Sequence, residues 1–278
     1  MRQGGKATSN QQPATSNHAY HGLMKIASWN VNSLKVRMPH LSDWLRASQP
    51  DVVALQEIKL VDEAYPRAQI EALGYHSVVS GQKTYNGVAL LSREPAEDLV
   101  RDIPGLEDPQ RRVLAASIAG VRVVNLYVVN GQSVGSEKFA YKLGWLAALR
   151  HWLQDEIAQH SRLVVLGDFN ITPDDRDVYD PAAWYEQVLC STPERSALGE
   201  LMKLGLTDSF RLQQAEGGQY SWWDYRQGAF RRNLGLRIDL VLISADLVPK
   251  VTAVGIDREP RRWERPSDHA PVWVDLDL

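Results

Sequence analysis

Leu163-Val164-Val165-Leu166-Gly167-Asp168-Phe169-Asn170 decides the fold. Four aliphatic residues in a row, with no polar alternation, read as a strand buried on both faces. The segment from about Ser136 to Gln159 precedes it. There Phe139, Leu143, Leu146, Leu149, Leu153 and Ile157 recur every three or four residues and predict a helix with one apolar stripe. A helix feeding a buried strand is the unit of an α/β protein.

The same alternation extends outward. Strands are predicted at Met24–Trp29, Asp51–Gln56, Gly87–Ser92, Val113–Ile118, Val121–Val129, Arg162–Gly167, Tyr220–Tyr225, Ile238–Ile243, Val251–Ile256 and Ala270–Leu276. Further helical segments are predicted around Ser42–Ala47, between Pro66 and Gly74, and near Pro181–Leu189 and Pro193–Leu204. Strand–helix pairs in both halves fit two sheets packed face to face with helices outside, an α/β sandwich in one domain over residues 24–278. Residues 1–23, rich in Gln, Ser, Asn and Gly, read as a disordered N-terminal arm without the apolar core of a secretory signal.

Composition narrows the function. The chain has 278 residues, 44% of them hydrophobic, enough for one large core, and no apolar run approaches the ~20 residues of a membrane span. The single cysteine, Cys190, excludes an internal disulfide and a multi-cysteine zinc site, so a reducing, cytoplasmic setting is expected. The formal charge of −3 gives no global basic field. Arginines are nevertheless clustered, as Arg226, Arg231, Arg232 and Arg237 and as Arg258, Arg261, Arg262 and Arg265. Such runs are either a solvated face or a strip facing phosphates.

Ionisable and amide residues recur where strands end. Asn30 closes the first strand, Glu57 follows Val52-Val53-Ala54-Leu55-Gln56, and Asp268 and His269 precede the last. An amide and carboxylates, with water completing the shell, suit Mg²⁺ or Mn²⁺ better than zinc. Asp168 is placed to take a proton from water, and Asn170 to donate to a phosphoryl oxygen, although Asp and Asn also favour plain turns. Asp239 interrupts Ile238-Leu240-Val241-Leu242-Ile243, and burying an acid there is costly unless it is paired; His269 is the economical partner. Tyr127 ends Val123-Val124-Asn125-Leu126, where a phenol can contact phosphate or simply pack.

In this order, these fragments resemble the exonuclease III family of abasic-site endonucleases. The resemblance runs from about Met24 to the C-terminus through Trp29-Asn30-Val31-Asn32, Leu55-Gln56-Glu57, Asn86-Gly87-Val88-Ala89-Leu90-Leu91, Gly167-Asp168-Phe169-Asn170, Ser221-Trp222-Trp223-Asp224-Tyr225-Arg226, Gly235-Leu236-Arg237-Ile238-Asp239 and Pro266-Ser267-Asp268-His269-Ala270-Pro271. It implies a four-layer α/β sandwich of mixed sheets. It also implies a monomeric Mg²⁺-dependent enzyme (Mn²⁺ substituting) that cuts duplex DNA 5′ to abasic sites and trims blocked 3′ ends by exonuclease or phosphatase action. By resemblance, Glu57 is the principal metal ligand with Asn30 and Asp268 near it, and Asp168 and Asn170 form a possible second site. Asp168, Asn170, Asp239, His269 and Tyr127 are catalytic, and Asn32 and Arg237 contact DNA. Trp222, Leu236 and Ile238 match the pocket for a baseless sugar. Val129 stands where the family commonly has Pro, two residues after Tyr127. Pancreatic-type deoxyribonucleases, inositol polyphosphate phosphatases and sphingomyelinases share the motif set, and a regulator without catalysis is a further alternative. The segment Ser221–Arg226 and the intact acids argue for the repair branch.

Overall fold

The computed structural model describes residues 22–278. The expected arm lies outside them, except for Gly22 and Leu23. Along the chain run β1 (Leu23–Asn30), α1 (Leu34–Ser48), β2 (Val52–Gln56), α2 (Arg67–Ala72), β3 (His76–Ser80), β4 (Val88–Ser92), β5 (Ala96–Arg101), β6 (Val113–Ile118) and β7 (Val121–Tyr127). They are followed by α3 (Glu137–Gln159), β8 (Leu163–Asp168), α4 (Thr192–Met202), β9 (Leu206–Asp208), β10 (Trp222–Trp223), α5 (Ala229–Arg232), β11 (Gly235–Leu236), β12 (Asp239–Ser244), β13 (Val251–Ile256) and β14 (Val272–Asp277).

One six-stranded sheet has the order β13-β14-β1-β2-β4-β3 and the other β5-β6-β7-β8-β12-β9, while β10 and β11 form a separate ribbon. Each six-stranded sheet holds one parallel pair, β1 with β2 and β7 with β8. A parallel pair needs a crossover, and α1 and α3 supply it. The predicted layers are present. Side-chain parity along the strands builds them, because alternate residues face opposite sides of a sheet. Val52, Ala54, Val164, Leu166 and Val241 pack into the core between the sheets. Val53 and Leu55 face Leu41, Trp44 and Leu45 of α1. Leu163, Val165, Leu240 and Leu242 face Trp145, Leu146, Leu149 and Leu153 of α3 and Leu198 and Leu201 of α4. Each fully buried aliphatic side chain contributes about 1.5–3 kcal/mol.

Three local expectations differ from the structure. Pro181–Leu189 forms turns instead of a helix, with Glu186 and Leu189 at φ +52° and +76°. The strand expected over Tyr220–Tyr225 contracts to Trp222–Trp223, because its pairing with Gly235 and Leu236 extends no further. The buried face of α3 includes Lys142, Trp145 and Trp152, while Leu143 is only half-buried. No helix among the described residues is long and apolar enough to cross a membrane.

Candidate active site

Strand pairing brings the polar fragments to one rim. Parallel pairing sets Asn30 beside Gln56, so Glu57 leaves β2 next to the end of β1. The second parallel pair sets Tyr127 beside Asp168. Antiparallel pairing of β12 with β8 puts Asp239 directly opposite Asp168. The approach to β14 is pinned to β1, since Ser267 Oγ donates to the Asn30 carbonyl at 2.6 Å and Trp29 Nε1 to the His269 carbonyl at 3.2 Å. Gly167 is required where it stands. Its φ is +144°, and a Cβ there would lie 1.9 Å from the Leu126 carbonyl oxygen of β7. Asn32, Ser33, Glu57, Lys59 and Asn170 all have φ between +43° and +86°, a conformation that L-residues rarely adopt and that clusters at functional sites.

The Asn30 amide joins two acids, with Nδ2 donating to Glu57 Oε1 at 2.8 Å and to Asp168 Oδ2 at 2.9 Å. Its own oxygen accepts from the Asn32 backbone N–H at 3.0 Å. Asp168 Oδ1 accepts from the Asn170 backbone N–H at 2.9 Å. The buried His269 ring donates from Nδ1 to Asp239 Oδ2 at 2.8 Å, and its Nε2 lies 3.7 Å from Asp168 Oδ2. Ser221 Oγ accepts from the backbone N–H groups of Ile238 and Asp239, fixing the strand that carries the acid.

These surroundings set the protonation states. Burial alone would push His269 down, but the charges of Asp239 and then Asp168 outweigh it and raise the imidazole to about 10. Asp168 moves up to about 7, because burial disfavours its charge; His269 opposes that shift and Asp239 adds to it. Tyr127 is held well above its ordinary value, first by burial and then by Glu57 and Asp168, so it remains a phenol.

Glu57, Asp168 and His269 each offer a ligand atom, and these atoms lie within 4.8 Å of one another. The two carboxylates, with the Asn30 amide beside them, fit a hard divalent cation. Asp268 is not one of those three, although its charge helps to raise His269. Its oxygens accept from Asn32 Nδ2 at 2.9 Å and Trp222 Nε1 at 3.0 Å. The Asn170 amide is also engaged, accepting from Asn130 Nδ2 at 3.2 Å and donating to the Val128 carbonyl at 3.0 Å. Val129, in the family's proline position, is buried in the core against α3 and α4.

Two expectations about DNA contacts need correction. Arg237 is 1% exposed; it is bonded to Asp177 at 2.6 Å and Asp208 at 2.7 Å. It therefore ties the turn at Asp177 and the end of β9 to the β11–β12 segment and reaches no surface. Leu236 and Ile238 are closed in by Val178, Leu189 and Cys190, leaving Trp222 as the partly open member of that group. The arginine runs divide likewise: Arg226, Arg231, Arg232, Arg262 and Arg265 are exposed, while Arg261 is buried under Trp223, Tyr225 and Phe230.

Some residues at the site escaped the sequence reading. Lys59 Nζ lies 3.1 Å from Glu57 Oε2 and donates to Asn32 Oδ1 at 2.6 Å. Lys142, buried in α3, donates to the carbonyls of Asn130 at 3.0 Å and Asn170 at 2.7 Å, and is paired with Glu194. A lysine three residues after Phe139 and four before Leu146, inside the apolar stripe, was the available signal.

A buried acid–histidine–acid array beside a hard-cation donor set defines a hydrolase of phosphate esters. The chain matches the endonuclease/exonuclease/phosphatase family over residues 27–269. It is 38% identical over 266 residues to exodeoxyribonuclease III of Haemophilus influenzae, covering 91% of this chain and all of that protein. Among solved structures, the Neisseria 3′ phosphatase NExo bound to a product DNA hairpin superposes with a TM-score of 0.91 at 50% identity, covering 92% of this chain and all of the other. An AP endonuclease from Archaeoglobus fulgidus superposes at 0.89 with 36% identity and the same coverage. The chain belongs to the endonuclease/exonuclease/phosphatase family, in its exonuclease III branch of metal-dependent DNA-repair nucleases.

Proposed function

We propose that the protein is a Mg²⁺-dependent repair enzyme that hydrolyses phosphoester bonds in duplex DNA, cutting 5′ to abasic sites and processing 3′ ends by 3′-5′ exonuclease or 3′-phosphatase action. One observation carries the reading. Asn30, Glu57, Asp168, Asp239 and His269 come from five separate segments and meet within direct hydrogen-bond or ion-pair range of one another.

Asp168, poised near neutrality and held by Asn30 and the Asn170 backbone, orients the attacking water and accepts its proton. His269 stays an imidazolium because Asp239 holds its Nδ1, and its Nε2 faces the phosphoryl oxygen that gains charge. The Tyr127 phenol and the Asn170 side chain stand at the same rim. Each such preorganised donor contributes roughly 10²–10³ in rate. Glu57, with Asp168 and the Asn30 amide, would hold Mg²⁺ (or Mn²⁺), which would supply Lewis-acid stabilisation of the phosphate charge. The enzyme acts as a monomer on the cell's own DNA in the cytoplasm, which fits its single cysteine.

A second emphasis, on 3′-end processing over internal incision, is favoured by the closed packing of Leu236 and Ile238 against Val178 and Leu189. The 50% identical Neisseria proteins, named a 3′ phosphatase and a 3′-5′ exonuclease, support it. The test is a labelled duplex set: one with an internal abasic site, one with a 3′-phosphate and one intact, each with Mg²⁺ and with EDTA. Metal-dependent product from the abasic or the 3′-phosphate duplex is expected, and their ratio sets the emphasis. No metal-dependent product from either damaged duplex, or turnover that survives EDTA, rules the proposal out.

A further inference from the structure

A cavity of about 290 Å³ opens beside the site, between the turns after Val178 and the loop that joins β10 to β11. Tyr179, Trp184, Trp222 and Leu234 line it, with Arg226 and Gln227 also in its wall. Building on the proposed function, we propose that it seats the unstacked base of the 3′-terminal nucleotide during exonucleolytic removal.

Size comes first. Small-molecule pockets start at about 300 Å³, so the cavity suits one base with part of its sugar and is too small for stacked neighbours. Its lining comes second. Three aromatic rings and an aliphatic side chain offer stacking surface that accepts any base, because every base has a π-face. The rim carries the exposed Asp224–Arg226 pair and the Gln227 amide, which supply donors and acceptors at a base edge.

These rings are not ordinary core. Trp29 and Trp223 are fully enclosed, whereas Trp184 and Trp222 pack one side on the Leu236–Ile238 cluster and remain partly exposed, and Tyr179 is exposed. Aromatic surface left open around a concavity marks a binding site. Gln227 holds a φ of +58° in the wall, a conformation that costs a non-glycine residue backbone strain.

Location selects the ligand. Trp222 forms a wall of the cavity, donates from Nε1 to Asp268 Oδ2 at 3.0 Å and pairs through its backbone with His269. A base against Trp222 therefore belongs to the nucleotide whose 5′ phosphate lies at His269. That is the nucleotide an exonuclease releases. A 3′-phosphate end places nothing there, because the group carried to water is phosphate alone and no nucleoside lies beyond it.

The experiment uses the full chain and a hairpin duplex ending in 3′-terminal 2-aminopurine. In EDTA, where no cleavage occurs, binding should quench the fluorophore by stacking, and Trp184→Ala should abolish most of that quench. With Mg²⁺, the ratio of KM for the 3′-nucleotide hairpin to KM for the matching 3′-phosphate hairpin should rise about tenfold, the order one stacked base contributes. Tyr179→Ala, at an exposed position, gives the same reading should Trp184→Ala fold poorly. Undiminished quenching in both variants, or an unchanged KM ratio, overturns the base seat. Wild-type protein that processes neither hairpin overturns the proposed function instead. Binding without any quench by wild type counts against the seat alone.

Discussion

Replacing Lys142 with methionine tests how the site is braced. The ammonium is fully buried and has three acceptors: the carbonyls of Asn130 and Asn170 and the carboxylate of Glu194. Burial pushes this lysine down, and Glu194 pulls it back. Glu194 in turn accepts from the backbone N–H groups of Leu189 at 3.0 Å and Ser191 at 3.2 Å. One ion pair thus joins the loops after β7 and β8 and the turn before α4. Methionine keeps the volume and removes the charge. Breaking a buried pair by deleting one partner costs about 3–5 kcal/mol, because the other charge is left unpaired. Against a typical total of about 5–15 kcal/mol, the variant still folds but with a large fraction of its stability gone.

Removing the charge of Glu194 as well should restore part of the loss. Lys142→Met/Glu194→Gln is expected to be about 2 kcal/mol more stable than the sum of the two single changes. Urea unfolding of all four proteins gives the cycle. The functional arm is turnover. With the Asn170 carbonyl released, a displacement of about 1 Å at a reacting group lowers kcat on the order of a hundredfold. Single losses below about 1 kcal/mol that simply add would show that the pair does not brace the site, and unchanged kcat in Lys142→Met would show that the loops hold their geometry without it.

Three further outcomes follow from the same coordinates. Asp168→Asn and His269→Ala should each lower turnover at least about a hundredfold; near-normal turnover in folded protein removes the assigned role. Glu57→Ala should raise the Mg²⁺ concentration needed for half-maximal activity, and an unchanged metal titration strikes Glu57 from the ligand set. His269 is raised from 6.5 to about 10, so its contribution to stability is complete below pH 6.5 and is lost as pH rises through about 10. The stability difference between wild type and Asp239→Asn should therefore shrink across that window, and a gap that stays constant from pH 6.5 to 10.5 refutes the pairing as its source.

Much of this was legible in the chain because strand ends are local signals. Four aliphatics followed by Gly-Asp-Phe-Asn announce a buried strand with polar residues at its mouth, and Asp239 within Ile238–Ile243 signals an acid that needs a partner. Parity would have corrected the expectation that Arg237 contacts DNA. Leu236 and Ile238 share one face, which sends Arg237 to the other and away from them. That it meets Asp177 and Asp208 depends on a turn and a strand end far off in sequence, and no local pattern encodes it. The segment Pro181–Leu189 misled for the opposite reason. Its composition suits a helix, yet Asp180 and Glu186 cap turns at Ala183 and Thr192, and the left-handed Glu186 and Leu189 stop any continuation. Lys142 was passed over because Leu143, one position along, satisfied the helical period about as well.

The charges at the rim explain why these residue types belong together. Glu57 and Asp239 stand there beside the buried Asp168, and their like charges leave a repulsion. Protonation relieves part of it, which is why burial and Asp239 drive Asp168 up to about 7. A divalent cation relieves it more completely, and carboxylate and amide oxygens favour a hard one. Asn30 couples Glu57 to Asp168, so in the proposed mechanism a cation held by Glu57 would also favour the ionised form of Asp168. Metal affinity and proton acceptance are then two readings of one electrostatic arrangement, set by β1, β2 and β8 ending at the same rim.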